Sequence, residues 1–282
     1  MKNSRRTEKI AFFFLFLATM LIVVPVGLVV VIIIQKGFAA ISWQFLTDVP
    51  RQGMRAGGIF PAIVGTIYLV LGAIIFALPV GLLAAIYLSE YAKDNYLTRI
   101  IKLAIVNLAG VPSVVYGLFG LAIFVVFFKF GTSILSGSLT LGIMILPVII
   151  TTSREALESV PYSFREASLS LGASKWQTIR HTVLPNAIPG ILTGTILGLG
   201  RAAGETAPIL FTVAAFYLPQ LPKSIFDQAM ALPYHLYVIS TQVPNVDEKV
   251  RYGTALVLLF LVLFMNLIAI IIRYQFRKQK KW

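Results

Sequence analysis

Within an otherwise apolar stretch, Arg201 and Glu205 stand four positions apart, the separation that sets two side chains over one another on a helix. An ionised pair in such surroundings fits two roles. It can neutralise itself as a structural contact, or it can line a path for a charged solute, because an intramembrane charge is costly unless partners or water face it. Arginine on such a path suits an anion, since the guanidinium is planar, stays charged when desolvated and matches phosphate-type oxygens with paired N–H donors. Glu205 would hold Arg201 when no solute is present and repel a misplaced anion. The sequence offers little other chemistry. It has no GxxxxGK followed by Ser or Thr, no HExxH and no GxSxG. His181 and His235 stand apart in polar linkers, where solvation is expected because a metal site needs several converging ligands. There is no cysteine, which removes disulfides, thiolate metal sites and thiol nucleophiles.

The elements that must position the pair are read from composition. Of 282 residues, 58% are hydrophobic and 12% charged, against about 25% charged in an ordinary soluble domain. A soluble enzyme is excluded. Six apolar runs, 10–34, 59–88, 100–128, 137–152, 187–216 and 253–272, meet or approach the roughly 20 residues a bilayer helix requires. The expectation is an all-α polytopic membrane protein of six transmembrane helices, with 1–282 as a single domain and no room for a soluble one. The first run is too long for a signal-peptide core of about 7 to 15 residues. The +13 formal charge gathers at the ends of these runs, so it orients helices against lipid and does not point to nucleic acid. With the amino end inside, sixteen cationic side chains fall on the inner side and seven on the outer, which predicts that both termini and the linker 153–186 are cytoplasmic. Pro25, Pro79, Pro112 and Pro208 lie inside runs and predict bent helices, either simply packed or lining a pathway.

The linker 153–186 reads as helix, sharp turn, helix. Phe164, Ala167 and Leu171 have the spacing of an apolar helical stripe, and Gly172 suits the left-handed residue that ends a helix. Ser174 and Gln177 have capping-box spacing and start a second helix, which should stop or bend near Pro185. An amphipathic hairpin lying on lipid is the bland alternative, but the linker is not rich in Lys or Arg on one face. The run Glu166-Ala167-Ser168, three residues, Gly172, nine residues, Thr182-Val183-Leu184-Pro185 resembles the EAA loop of ABC importer permeases, with Ser168 in place of the second Ala and Thr182 in place of Ile. That resemblance implies a coupling helix, carried by Glu166, Ala167, Gly172, Leu184 and Pro185, that docks in a cleft of a cytoplasmic ATPase.

In the fifth run Gly190, Gly194 and Gly198, continued by Ala202 and Thr206, form a ridge that lets another helix approach closely. Helical geometry puts Arg201 and Glu205 on that protein-facing stripe. From a start near Ala187, at a rise of about 1.5 Å per residue, Arg201 is expected roughly 20 Å along the helix, inside a hydrocarbon layer of about 30 Å. The wording Gly200-Arg201-Ala202-Ala203-Gly204-Glu205-Thr206-Ala207-Pro208, with 110–119 (GVPSVVYGLF) and 58–66 (GIFPAIVGT), is similar to the phosphate-specific ABC importer permeases, A-type subunit. The resemblance implies a type I half-permease in the inner membrane of a prokaryote, without catalysis or cofactor of its own. Implied partners are membrane lipid, a homologous C-type permease, two cytoplasmic ATPase subunits carrying ATP and Mg²⁺, and an extracytoplasmic phosphate-binding protein. It also puts Arg201, Glu205 and Thr206 on the solute path. Sulfate, molybdate or another oxyanion is the nearest alternative solute; a self-contained secondary carrier would need an internal repeat, and none is visible. In the outer linker 217–252, the stretch 225–239 reads as a short helix broken at Pro233, touching a binding protein or packed as a lid on the bundle.

Overall fold

Apolar runs in a bilayer must satisfy their own backbone hydrogen bonds, so helices result. The computed structural model describes residues 2–278, with side chains described from 8 to 276 except at position 10. The terminal cations counted above, Lys2, Arg5 and Arg6 and then Arg277, Lys278, Lys280 and Lys281, lie outside the described side chains. Helix α1 (Lys2–Gly37) leads to α2 (Trp43–Thr47) and a small antiparallel hairpin of β1 (Pro50–Arg51) and β2 (Ala56–Gly57), with Pro50 opposite Gly57. There follow α3 (Phe60–Ile86), α4 (Tyr96–Ala109), α5 (Ser113–Gly120), α6 (Ile134–Glu158), α7 (Tyr162–Ser170), α8 (Lys175–Thr178), α9 (Leu184–Gly204), α10 (Ala207–Thr212), α11 (Leu232–Thr241) and α12 (Glu248–Lys278). π-Helical turns extend α3 through Tyr87–Tyr91 and α5 through Leu121–Phe127, and another, Ile179–Val183, joins α8 to α9.

Among the described residues, five helical stretches are long and apolar enough to cross a membrane: Ala11–Ala40, Phe60–Tyr91, Ile134–Glu158, Lys175–Gly204 and Glu248–Phe276. The expected third span is not one bent helix. It is α4 and the α5 stretch, turned through 103° at the intervening break. Pro112 causes this: it lacks an N–H and its ring crowds the carbonyl four residues back, so α4 stops at Ala109 and Pro112 caps α5 instead. The freed Leu108 carbonyl accepts the Tyr116 hydroxyl at 2.7 Å. The fourth span is longer than expected, reaching Glu158.

At the centre, α3, α6 and α9 pack around Leu69, Leu141, Met144, Ile145 and Ile149. Lipid tails are as apolar as leucine, so association rests on close approach. Gly190 and Gly194 of α9 sit so near Ala156 and Thr152 of α6 that a Cβ at either glycine would overlap those side chains. The expected ridge holds at Gly190 and Gly194, relaxes to ordinary contact at Gly198, and does not reach Thr206, which lies past the end of α9. By contrast α1, packed along α12, buries none of its most apolar stretch within the chain.

The two ends of the bundle differ. One carries the α7–α8 hairpin. The other carries the segment 213–247, a lid that turns back into the bundle: Ala214 bridges Ala229, and the Leu232 amide donates to Thr66 Oγ1 at 2.8 Å. Pro233 does not break a helix here. It stands in the first turn of α11, where its missing N–H has no partner to lose. His235, expected to be solvated, is 3% exposed, with its Nδ1 buried and unpartnered.

Candidate functional site: a helix break and a docking hairpin

The fifth apolar run does not continue to 216 as one helix. Pro208 would crowd the carbonyl of Gly204, and α9 ends at that glycine. Glu205 is extended (φ −77°, ψ 133°) and α10 starts afresh after Thr206. Arg201 and Glu205 thus face each other across a helix end. Arg201 Nε lies 3.6 Å from Glu205 Oε1, with the side chains 31% and 19% exposed. This corrects two expectations. The pair does not share a stripe of one helix, because Glu205 lies past the end of α9, and the helix starts at Lys175 rather than near Ala187, so Arg201 lies about 39 Å along it, in the last turn.

Around the break the structure brings together the three stretches whose wording resembled one family. Gly117 of α5 abuts the Ala207 carbonyl and Pro208 Cα, both 3.0 Å from where a Cβ would be. Thr66 of α3 and Ala231 and Pro233 of the lid share with Glu205 the lining of one small void of about 10 Å³. Nothing local in the sequence placed the lid against Glu205. Its contact depends on a chain reversal between Val213 and Leu232. Thr206, at the start of α10, makes no capping bond with its side chain.

At the opposite end, α7 finishes in a Schellman motif, in which the Gly172 amide donates to Leu169 O (2.9 Å) and the Ala173 amide to Ser168 O (3.3 Å). Gly172 has φ +82° with open space around it, so backbone conformation alone selects glycine. The Ser174–Gln177 capping box is complete. Beyond it the second helix does not stop at Pro185. The π turn absorbs the misfit, and Pro185 falls in the first turn of α9, where no amide is required. Glu166 and Ala167 are exposed on α7, which buries no residue of its own, and Leu171 is 89% exposed. The expected apolar stripe is therefore split: Ala167 and Leu171 face outward, while Phe164 packs inward against the cluster around Ile86 and Leu157. Leu184 and Pro185 instead form the half-buried base of α9, apart from that surface.

Sequence reasoning missed the contact that holds the hairpin. Arg165 Nη2 donates to Glu90 Oε1 at 2.7 Å, and the same guanidinium donates to the carbonyls of Leu157 (2.9 Å) and Val160 (2.7 Å). A separation of 75 residues hides this pair from any local pattern.

Residues 77–281 match a protein family described as the binding-protein-dependent transport system inner membrane component. The chain belongs to that family. It is similar to the probable ABC transporter permease protein YqgI of Bacillus subtilis, 35% identical with 95% of each chain covered. It is also similar to the phosphate transport system permease protein PstA 1 of Mycobacterium tuberculosis, 32% identical over 98% of this chain and 91% of that one. The crystal structure of a bacterial ABC transporter involved in import of the acidic polysaccharide alginate contains a chain of the same fold, with TM-score 0.63, 13% identity and 99% and 98% of the two chains covered. Membership makes this permease a multi-pass inner-membrane component of a transport system rather than an enzyme, and it accounts for a molecule that is mostly spanning helix with one exposed hairpin.

Proposed function

We propose that this permease forms one half of the membrane path of an ATP-driven inorganic phosphate importer. The observation that carries the solute is the half-exposed Arg201, held only loosely by Glu205 at a helix break, in a chain similar over nearly its whole length to a phosphate permease. Arg201 offers its fork to the anion, Glu205 occupies the arginine between transport events, and Thr206 supplies a hydroxyl beside them. A homologous C-type permease completes the path. Two ATPase subunits, which carry ATP and Mg²⁺, receive the hairpin through Glu166, Ala167 and Gly172, with Leu184 and Pro185 forming its base. A phosphate-binding protein delivers solute at the lid end. The hairpin end and both termini lie in the cytoplasm, a reading supported by the distribution of cations.

The test is Arg201→Gln combined with Glu205→Gln, which removes both charges at similar volume. The expected result is normal assembly, partly retained ATP hydrolysis and lost phosphate uptake. Uptake within about twofold of wild type, per assembled complex, would overturn the assignment. Uptake of sulfate in place of phosphate by the wild-type complex would transfer the reading to another oxyanion. For orientation, a cysteine at Lys175 should be shielded from an impermeant thiol reagent in intact cells and one at Lys223 should react.

A further inference from the structure

The docking hairpin is joined to the bundle covalently at both ends, through 159–161 to α6 and through helix to α9. Through α8 and the π turn it continues directly into α9. On its other side α7 packs Phe164 against the cluster that holds Ile86 of α3 and Leu157 of α6, and borders a cleft of about 640 Å³ lined in part by Glu158, Tyr162, Leu169 and Lys175. Arg165 spans this cleft. Its Nη2 and Nε reach the two oxygens of Glu90 at 2.7 and 3.4 Å, and Nη2 and Nη1 reach Leu157 O and Val160 O. Leu157 belongs to the last turn of α6, where carbonyls lack helical partners and a cation is favoured. Glu90 belongs to the π turn that ends α3, a geometry that often marks positions under functional demand. The side chains are 12% and 9% exposed, so water competes little for either.

We propose that Arg165 is a positioning residue for transport: with Glu90 it forms a clamp that carries movement of the hairpin into α3 and α6, in parallel with the direct route into α9. The proposal rests on reading the hairpin as the ATPase-docking element. It assigns a purpose to an arginine that the docking surface does not use. It also gives the hairpin a route to the lid, because α3 carries at its far end Thr66, which binds the Leu232 amide.

The absence of native cysteine allows a reversible test. In the complete reconstituted complex, with reactive cysteines removed from the partner subunits, Glu90→Cys and Arg165→Cys are combined and joined by a short, cleavable bifunctional thiol reagent. Phosphate uptake per ATP hydrolysed is measured before joining, after joining and after cleavage. The expected result is a ratio lowered about tenfold in the open form, restored to within about threefold when joined and lost again on cleavage. Arg165→Lys, which keeps the charge but not the fork, should lower the ratio while the ATPase still copurifies. An unchanged ratio in the open form, or no recovery on joining, overturns the clamp. If the ATPase instead fails to copurify with the wild-type chain, the docking reading itself has failed, a result distinct from an ATPase that binds and an unchanged ratio.

Discussion

Two arginine–glutamate pairs mark the two ends of this permease, and their geometry is opposite. At the lid end Arg201 and Glu205 are four residues apart, half-exposed, and separated by 3.6 Å with no hydrogen bond between the charges. At the hairpin end Arg165 and Glu90 are far apart in sequence, nearly buried and joined at 2.7 Å, with two backbone carbonyls completing the arginine's partners. A charge held tightly on all sides cannot exchange partners without a large penalty. One held loosely can. The same two residue types therefore suit a mechanical joint at one end and an exchangeable solute contact at the other.

The comparison breaks most readily at the tight pair. Arg165→Met leaves Glu90 buried without its cation and should cost about 3 to 5 kcal/mol, seen as a lowered melting temperature of the purified chain in detergent. Replacing both members, Arg165→Met with Glu90→Leu, should recover most of that loss, because apolar packing often equals a buried pair. A mild effect of Arg165→Met would show that water reaches the clamp and that the two ends are less different than their distances imply.

A second contrast is with His235, a buried titratable group whose Nδ1 has no partner. Burial pushes it down to about 4 from an ordinary value of 6.5, so between those values the unfolded chain binds a proton that the folded chain does not. Stability contributed by the neutral ring is present above 6.5 and falls with decreasing pH; at pH 5 the loss should be about 2 kcal/mol. Hydrogen exchange in the lid, compared at pH 7 and pH 5, should show it, and His235→Phe should flatten the dependence.

Smaller still is the effect of the hairpin turn. Gly172→Val should cost about 1 to 2 kcal/mol locally, because a β-branched residue is forced to positive φ. Gly172→Asn should be milder, and the difference should show in ATPase copurification. The least effect belongs to the loose pair. Glu205→Gln should change the melting temperature by the equivalent of under about 1 kcal/mol while still impairing uptake. A loss comparable to that at Arg165 would make Arg201–Glu205 a structural pair after all.

What was legible in the sequence was what local geometry dictates. Gly172, the Ser174 capping box and the Gly190–Gly194 ridge are each set by neighbours within a turn or two, and all three are found in the structure. The helix breaks were half legible: Pro112 and Pro208 announced disturbance, but whether a bilayer helix bends or stops depends on what catches the freed carbonyl, and Tyr116 does so from a separate helix. The Glu90 clamp, the burial of His235 and the approach of the lid to Glu205 arise only from tertiary packing. The π turns carry no recognisable pattern, since they adjust one register to another after both are fixed.

One continuous helical span, Lys175–Gly204, α-helical but for the π turn at Ile179–Val183, begins at the hairpin and ends beside Arg201. In mechanical terms it is a lever about 45 Å long, at 1.5 Å per residue. Pivoting it by roughly 5° at the hairpin would swing its far tip by about 4 Å, as far as Arg201 now stands from Glu205. An angular change too slight to disturb packing near the fulcrum is thus enough to carry Arg201, and Glu205 bonded just beyond the tip, several ångströms together.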